Sequence, residues 1–504
     1  MLSWIDFGQV AAERDDLLSE YFYDNGVLSE VSRSNVHFLV LGRKGAGKTA
    51  VFKRFDHGYE DYLRNGDCSV AISLDNYDWT VHELLSNPHK APALAFIESW
   101  KFFIYVQTVV LLEEVDFGSK YTKKLLKIIG KIYGSPTPSL YEIIGGKLLQ
   151  LAKFKLPSGG VALDEGDLSG LQASGGEVAF SDVQRDESMQ NRLSANIGNV
   201  VRTMERGLAD HFSERGGRAF VTFDRVDEAW VQGSVPQMKP MIGGLVSAAD
   251  SVTQKFRGAL RPVAFLREDI FDYLEINDKN KLRSDCGQLL AWSPDTLNRL
   301  IMQRVNYFSK AASERGFQHV NELFDKDKMR QQRKPFDYLI LRTMMRPRDL
   351  IKYLQLTKED MISRRDNPFE DEGVNENALE CDAIYNAEAK YSEWLVEEIQ
   401  DEWRSQFPEI RQIIDALAAI GSTVFKLTDF RRAISSQGLQ AEDLELRAHL
   451  RFLYDNSIIG FKVGKSQIWR FKCFYPAQGF LDADVYKVHD GLTRGLNLKE
   501  PRTT

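Results

Sequence analysis

Cysteine is scarce: Cys68, Cys286, Cys381 and Cys473 are the only four in a chain of 504 residues. No two stand at metal-ligand or CxxC spacing, and four thiols over such a length make no disulfide framework. A reducing cytoplasm is the expected compartment. The eight histidines are dispersed without metal spacing. No G-x-S-x-G turn and no Cys–His arrangement offers a nucleophile. Positive charge is not in excess, since 65 Lys and Arg face 72 Asp and Glu for a net charge of −7. That excludes a wholesale basic surface for nucleic acid and leaves room only for a local basic groove. Long apolar runs are missing too. The most apolar stretch, FFIYVQTVVLL at 102–112, is too short to cross a bilayer and is flanked by Glu98, Lys101 and Glu113. It reads as a buried helix, and no membrane partner is expected. The start, MLSWIDFGQVAAERDD, has neither a basic beginning nor an apolar core, so no signal peptide is expected. Internal repeats are absent.

What is present is an ordinary globular composition, 43% hydrophobic and 27% charged. The length implies about three domains. Residues 1–90 read as a polar N-terminal helix and the start of an α/β core, with a strand opening HFLVLG and a second in CSVAISLDNYDW, 68–79, which ends in turn residues. Residues 91–187 read as a mostly helical insertion that ends in a Gly/Ser-rich loop at 156–180. Residues 188–292 complete the core with a helix at 188–212, the strand RAFVTF, a helix at 239–256, the strand PVAFL and the short strand GQLLAW. Strands alternating with helices imply a parallel sheet covered by helices. Residues 293–366 read as a helical lid. Residues 367–406 read as an acidic linker and a helix, and 407–504 as a compact terminal module and tail.

The chemistry begins in HFLVLGRKGAGKTAVFKRF, 37–55. Gly42, Gly47, Lys48 and Thr49 fit G-x-x-x-x-G-K-[ST], so Gly42, Arg43, Lys44, Gly45, Ala46, Gly47, Lys48, Thr49 and Ala50 are the expected ATP-binding residues. Glycines let the backbone fold tightly enough for its N–H groups to meet phosphate oxygens, and the following helix adds its positive end. Lys48 reaches the β- and γ-phosphates, and the Thr49 hydroxyl joins the Mg²⁺ shell. The strand before the motif and the helix after it are the context such a loop requires. RAFVTFDRVDEAW supplies the acidic partner. Asp224 ends an apolar strand and is the expected second metal residue. Asp227 and Glu228 follow on the turn, and one of them is expected to orient the attacking water, Glu228 first. A solvated helix start is the competing reading for that pair.

The pattern D-x-h-D-E after a strand resembles the NACHT and KAP branch of the STAND signalling ATPases, relatives of AAA+ and origin-recognition ATPases. The resemblance covers about residues 36–360 and extends to bacterial P-loop ATPases found beside anti-phage and mobile-element genes. It implies that Arg267, just past PVAFL, is a sensor of the γ-phosphate. It implies that Arg283, before GQLLAW, is an arginine finger offered to a neighbouring subunit. It places Arg346, Pro347 and Arg348, in MMRPRDLIKYL, at a helix start of the lid, in a second sensor or G-x-P position. Two departures stand out. Arg225 occupies a place where NACHT proteins carry a small residue and many AAA+ enzymes their glutamate, and an arginine cannot serve as a base. Met345 replaces the glycine of G-x-P.

The terminal module resembles a winged helix, with helices at FPEIRQIIDALAAIG, LTDFRRAISSQG and AEDLELRAHLRFLYDN and a hairpin turning at Gly464-Lys465-Ser466. Its third helix opens with Glu442, Asp443 and Glu445, which repel phosphate. Arg447, Arg451, Lys462, Lys465 and Arg470 leave DNA contact open, though a protein partner is the first expectation. The phosphate loop predicts ATP binding and hydrolysis, and the resemblance implies a switch in an anti-phage defence system. It would assemble as a homo-oligomer and act through a protein effector. The alternative is a DNA-engaging ATPase of the origin-recognition kind, in replication, repair or transposition.

Overall fold

The computed structural model describes residues 1–56, 62–75, 77, 79, 82, 92–143, 146–153, 163, 167, 178, 180–228, 230, 234–330, 332–367, 373–440, 442–464 and 466–500. The chain divides into two compact units. One comprises 24–43 and 48–290; the other comprises 1–23, 44–47 and 291–504.

The first unit is built on five parallel strands: β1 (Leu39–Gly42), β2 (Cys68–Ser73), β3 (Ala219–Asp224), β4 (Leu260–Arg267) and β5 (Gly287–Leu289). Their order is β2-β3-β4-β1-β5. β1, β3 and β4 are buried along their whole length, as parallel strands covered on both faces must be, and this is why they read as unbroken apolar runs. The register pairs Gly42 with Arg267 and Ser73 with Asp224. The ends that carry the phosphate loop, Arg267 and Asp224 thus lie on one edge of the sheet. This is a P-loop NTPase fold.

The apolar stretch at 102–112 lies in the helix Ile97–Glu114, which is buried over nearly its full circumference. Trp100 and Phe103 meet Phe223 of β3 edge-on and tilted, at 5.8 and 6.0 Å between ring centres. The helix Lys120–Tyr133 starts in a Ser119–Thr122 capping box and stops at Gly134, where φ is +76°. The helix Glu187–Arg215 is capped by Asp186 and leads into β3. The Gly/Ser-rich segment at 156–180 falls almost wholly outside the described residues.

In the second unit the helices Pro294–Ala311, Pro335–Arg342, Pro347–Arg365 and Cys381–Trp403 share one apolar core with the terminal module. The expected N-terminal helix is a correction. Residues 1–23 hold only a 3-10 turn, Ala12–Arg14. Their carbonyls are taken instead by side chains: Arg304 donates to Phe7, Gln355 to Gly8 and Lys358 to Ile5, each at 2.6 Å. Those bonds replace the ones a helix would make internally. A regular helix appears only at Val27–Arg33, in the first unit, where the Asp24 carboxylate accepts from the N–H groups of Leu28 and Ser29.

The terminal module has the winged-helix order. Helix Ile410–Ile420 is followed by β6 (Val424–Lys426), helices Leu427–Ser436 and Asp443–Asp455, β7 (Ile459–Phe461) and β8 (Val485–Val488). The antiparallel sheet runs β6-β8-β7. The expected hairpin is shorter than the sequence suggests. One bridge, Phe461–Arg470, joins its arms. Phe471 then turns inward against His489, and β8 closes the sheet. Lys465 lies outside the described residues.

Candidate functional site

β1 ends at Gly42, and the helix Lys48–Asp56 follows after five intervening residues. Gly45 and Gly47 have φ of +79° and +97°, conformations that cost a residue with a Cβ heavily. Lys48 is 9% exposed. Its Nζ donates to the carbonyls of Gly42 and Arg43 at 3.1 and 3.3 Å. Burial lowers its pKa; Asp227 first and Asp224 second push it back up, while Arg267 adds to the fall.

Asp224 is 2% exposed at the end of β3. Burial pushes its carboxyl up to about 6, against the pull of Lys48 and of a hydrogen bond from the Thr49 hydroxyl. Its Oδ2 has no hydrogen-bond partner among the described residues. A buried, partnerless carboxylate oxygen beside a threonine hydroxyl fits a hydrated Mg²⁺ bound with a nucleotide phosphate. A buried lysine held against backbone carbonyls fits the phosphate itself.

The turn after β3 sorts the two remaining acids. Val226 is fully buried and anchors it, and the Glu228 N–H closes it on the Arg225 carbonyl at 3.2 Å. Asp227, half-buried, is the largest charge acting on Lys48. Glu228 points outward with its side chain 47% exposed, and its Oε1 lies 3.2 Å from Arg225 Nη1. The same nitrogen is 3.2 Å from Asp75 Oδ2.

The arginines fall in different places. Arg267 ends β4 in register with Gly42 and grips Asp269 with Nε and Nη2, at 3.1 and 2.9 Å. Arg283 lies in the turn Leu282–Cys286, pairs with Asp272 and stands 5.2 Å over the Phe271 ring. In the second unit, Arg348 donates to Glu398 at 2.8 Å. Its Cβ and Cδ would stand 3.3 Å from a Cβ placed on Gly45, so a side chain there would crowd Arg348 in addition to straining a backbone at φ +79°. The structure brings Lys48, Thr49, Asp224, Asp227 and Arg267 together. It gives Glu228, Arg283 and Arg348 carboxylate or guanidinium partners of their own.

Two residues, Trp292 and Asp75, escaped the sequence reading, and Arg346 belongs with them in the geometry. Trp292 donates from Nε1 to the Ala46 carbonyl at 2.8 Å. Arg346 donates to the Lys44 carbonyl at 3.3 Å while Asp349 and Glu402 hold its guanidinium at 3.0 and 3.2 Å. Asp75 holds Arg225. Arg346 sits in the quoted MMRPRD motif, whereas no local pattern marks Trp292 or Asp75.

Five cations of the terminal module have partners of their own. Arg447 pairs with Asp482 at 3.4 Å, Arg451 with Asp455 at 3.6 Å and Arg431 with Asp443. Arg470 donates to Gln478 at 3.0 Å, and Lys462 to Gln467 at 2.9 Å.

Comparison with known proteins gives three kinds of likeness. Residues 295–400 match the family described as FunZ-associated C-terminal helical domain. The chain is 23% identical over 522 positions to the putative transposon gamma-delta 80.3 kDa protein of Escherichia coli (strain K12), with 98% of this chain and 67% of that protein aligned. Cdc6p from Pyrobaculum aerophilum aligns over 95% of this chain and 92% of its own at 10% identity and a TM-score of 0.29. The Aeropyrum pernix Orc1 protein, solved in complex with DNA, aligns over 97% and 93% at 12% identity and a TM-score of 0.34. With scores that low, the fold assignment rests on the strand order and the phosphate loop.

Proposed function

We propose that this chain is a Mg²⁺-dependent ATPase that works as a nucleotide-controlled switch of the AAA+-like kind. One observation carries the reading: Lys48, Thr49, Asp224 and Asp227 converge in a largely buried site, and Asp224 Oδ2 is left without a partner. The loop Gly42–Ala50 would hold the phosphates of ATP. Thr49 and Asp224 would hold the metal, which when bound neutralises phosphate charge. Asp227 and Glu228 remain the candidates to orient water. Their placement favours Asp227, because Glu228 turns outward to Arg225. Arg267 stands where it can answer the charge of a terminal phosphate, held ready by Asp269.

The switch would act through assembly and a protein effector. The paired cations of the terminal module support a protein contact ahead of a phosphate backbone. The defence setting rests on the sequence resemblance alone. The second reading, a DNA-engaging ATPase in the transactions of a mobile element, is favoured by the transposon protein that aligns with 98% of this chain.

Titration with a fluorescent ATP analogue tests the ATPase reading. Lys48→Ala should bind at least about tenfold more weakly, the cost of removing a charge-assisted bond, with an unchanged circular dichroism spectrum. Equal affinity in the variant would sink it. Binding of duplex DNA that weakens steeply with salt would move the balance to the second reading.

A further inference from the structure

Arg225 follows Asp224 directly and lies in the left-handed region, with φ at +59°. A residue with a branched-off side chain enters that region at a steric cost that glycine avoids. Such strain persists where its surroundings over-determine it. Here two carboxylates meet the side chain. A single nitrogen, Nη1, is 3.2 Å from Asp75 Oδ2 and 3.2 Å from Glu228 Oε1. Asp75 lies two residues beyond Ser73, which is the register partner of Asp224. The guanidinium therefore ties the end of β2 to the turn that follows β3.

The side chains concerned are 25%, 36% and 47% exposed, and ion pairs so open to water add little to stability. Their effect is on direction. With Glu228 drawn outward and Val226 fixed in the core, the half-buried Asp227 is the acid of this turn whose charge acts on Lys48. We infer that Arg225 is a positioning residue: its fork on Asp75 and Glu228 holds Glu228 off the phosphate site and aims Asp227 at it. This rests on the ATPase reading and adds a device to it, with Asp75 as the anchor.

Steady-state ATP hydrolysis by the full chain tests it. Arg225→Gly keeps the backbone conformation and removes the fork. Arg225→Asn also tolerates positive φ and guards against loosening by glycine. Both should lower kcat about tenfold or more, as misdirected catalytic groups do, with KM for ATP within about threefold, since the phosphate loop is untouched. Arg225→Lys should recover a large part of kcat by restoring the charge. Asp75→Asn should reproduce the loss and cost nothing further in the Arg225→Gly background, because both act through one link. Wild-type kcat in Arg225→Gly and Arg225→Asn, or losses that multiply in the double variant, would overturn the inference. Lys48→Ala separates the two levels. If it hydrolyses ATP like the wild type, the ATPase reading itself falls; if it is inactive and Arg225→Gly turns over like the wild type, only the positioning role falls.

Discussion

Asp224 shows how a single residue trades stability for chemistry. Its carboxyl is buried and ionises only above about pH 6, where an ordinary aspartate would have lost its proton near 3.8. The folded-state pKa lies above the unfolded one, so the stability this group contributes is present below the unfolded value and lost as pH rises through about 6. At neutral pH the metal-free protein carries a buried charge with a partnerless oxygen. Asp224→Asn removes that charge, while Asp227, the larger charge on Lys48, stays in place. The variant should melt at a higher temperature than the wild type at pH 8 without Mg²⁺, and should lose the further rise that Mg²⁺–ATP gives the wild type. A variant that melts lower in metal-free buffer would contradict the burial argument. The kcat/KM of the wild type, which reports the free enzyme, should fall as pH drops toward and below 6. The neighbouring acids divide by direction. Asp227→Asn should reduce kcat by roughly two to four orders of magnitude, the usual span for a general base, and Glu228→Gln by less. The sequence ranked this pair the other way, because D-x-h-D-E reports spacing and says nothing of which carboxylate a left-handed arginine turns outward.

At the scale of elements, legibility followed burial. β1, β3 and β4 are enclosed on both faces, so LVLG, AFVTFD and LRPVAFLR announce themselves as apolar runs, and the phosphate loop between β1 and its helix is marked by glycines that the backbone needs. The apolar run at 102–112 was legible as a buried helix because no polar face interrupts it. The N-terminal segment was not legible, since Arg304, Gln355 and Lys358, hundreds of residues away, take its carbonyls. The wing was half legible: its first arm follows local pattern, but β8 comes from beyond the expected hairpin and its pairing is set by tertiary contact. Trp292 on Ala46 and Asp75 on Arg225 were invisible for the same reason. The helix Ile97–Glu114 yields a test at this scale. Phe103 is 1% exposed and packs against Phe223, one residue before Asp224. Phe103→Ala should cost about 3–5 kcal/mol in chemical denaturation, the usual range for emptying a buried aromatic site. A loss below about 1 kcal/mol would mean that this helix is not core to the sheet.

For the whole molecule, a switch requires that two nucleotides differ in what they hold in place. A cation set to meet a terminal phosphate is satisfied by ATP and released by ADP, and only such a difference can shift an equilibrium between states. On the proposed reading Arg267, held by Asp269, would be that cation within the first unit. Arg283 is different. Its partners are Asp272 and the Phe271 ring, and its side chain is 39% exposed, which suits a group that a second copy of the chain could recruit. ATP, and not ADP, should therefore promote a larger assembly, measured as molar mass in solution with Mg²⁺ present. Arg283→Ala should retain ATP binding and lose turnover. Mixing Arg283→Ala with Lys48→Ala subunits should then restore part of the activity, because some interfaces join an intact phosphate loop in one copy to an intact arginine in the next. Random mixing also creates interfaces with neither, so recovery should stay below half of the wild-type rate. No recovery on mixing, together with a mass that ignores nucleotide, would show that Arg283 serves its own chain through Asp272 and that the phosphate loop works alone.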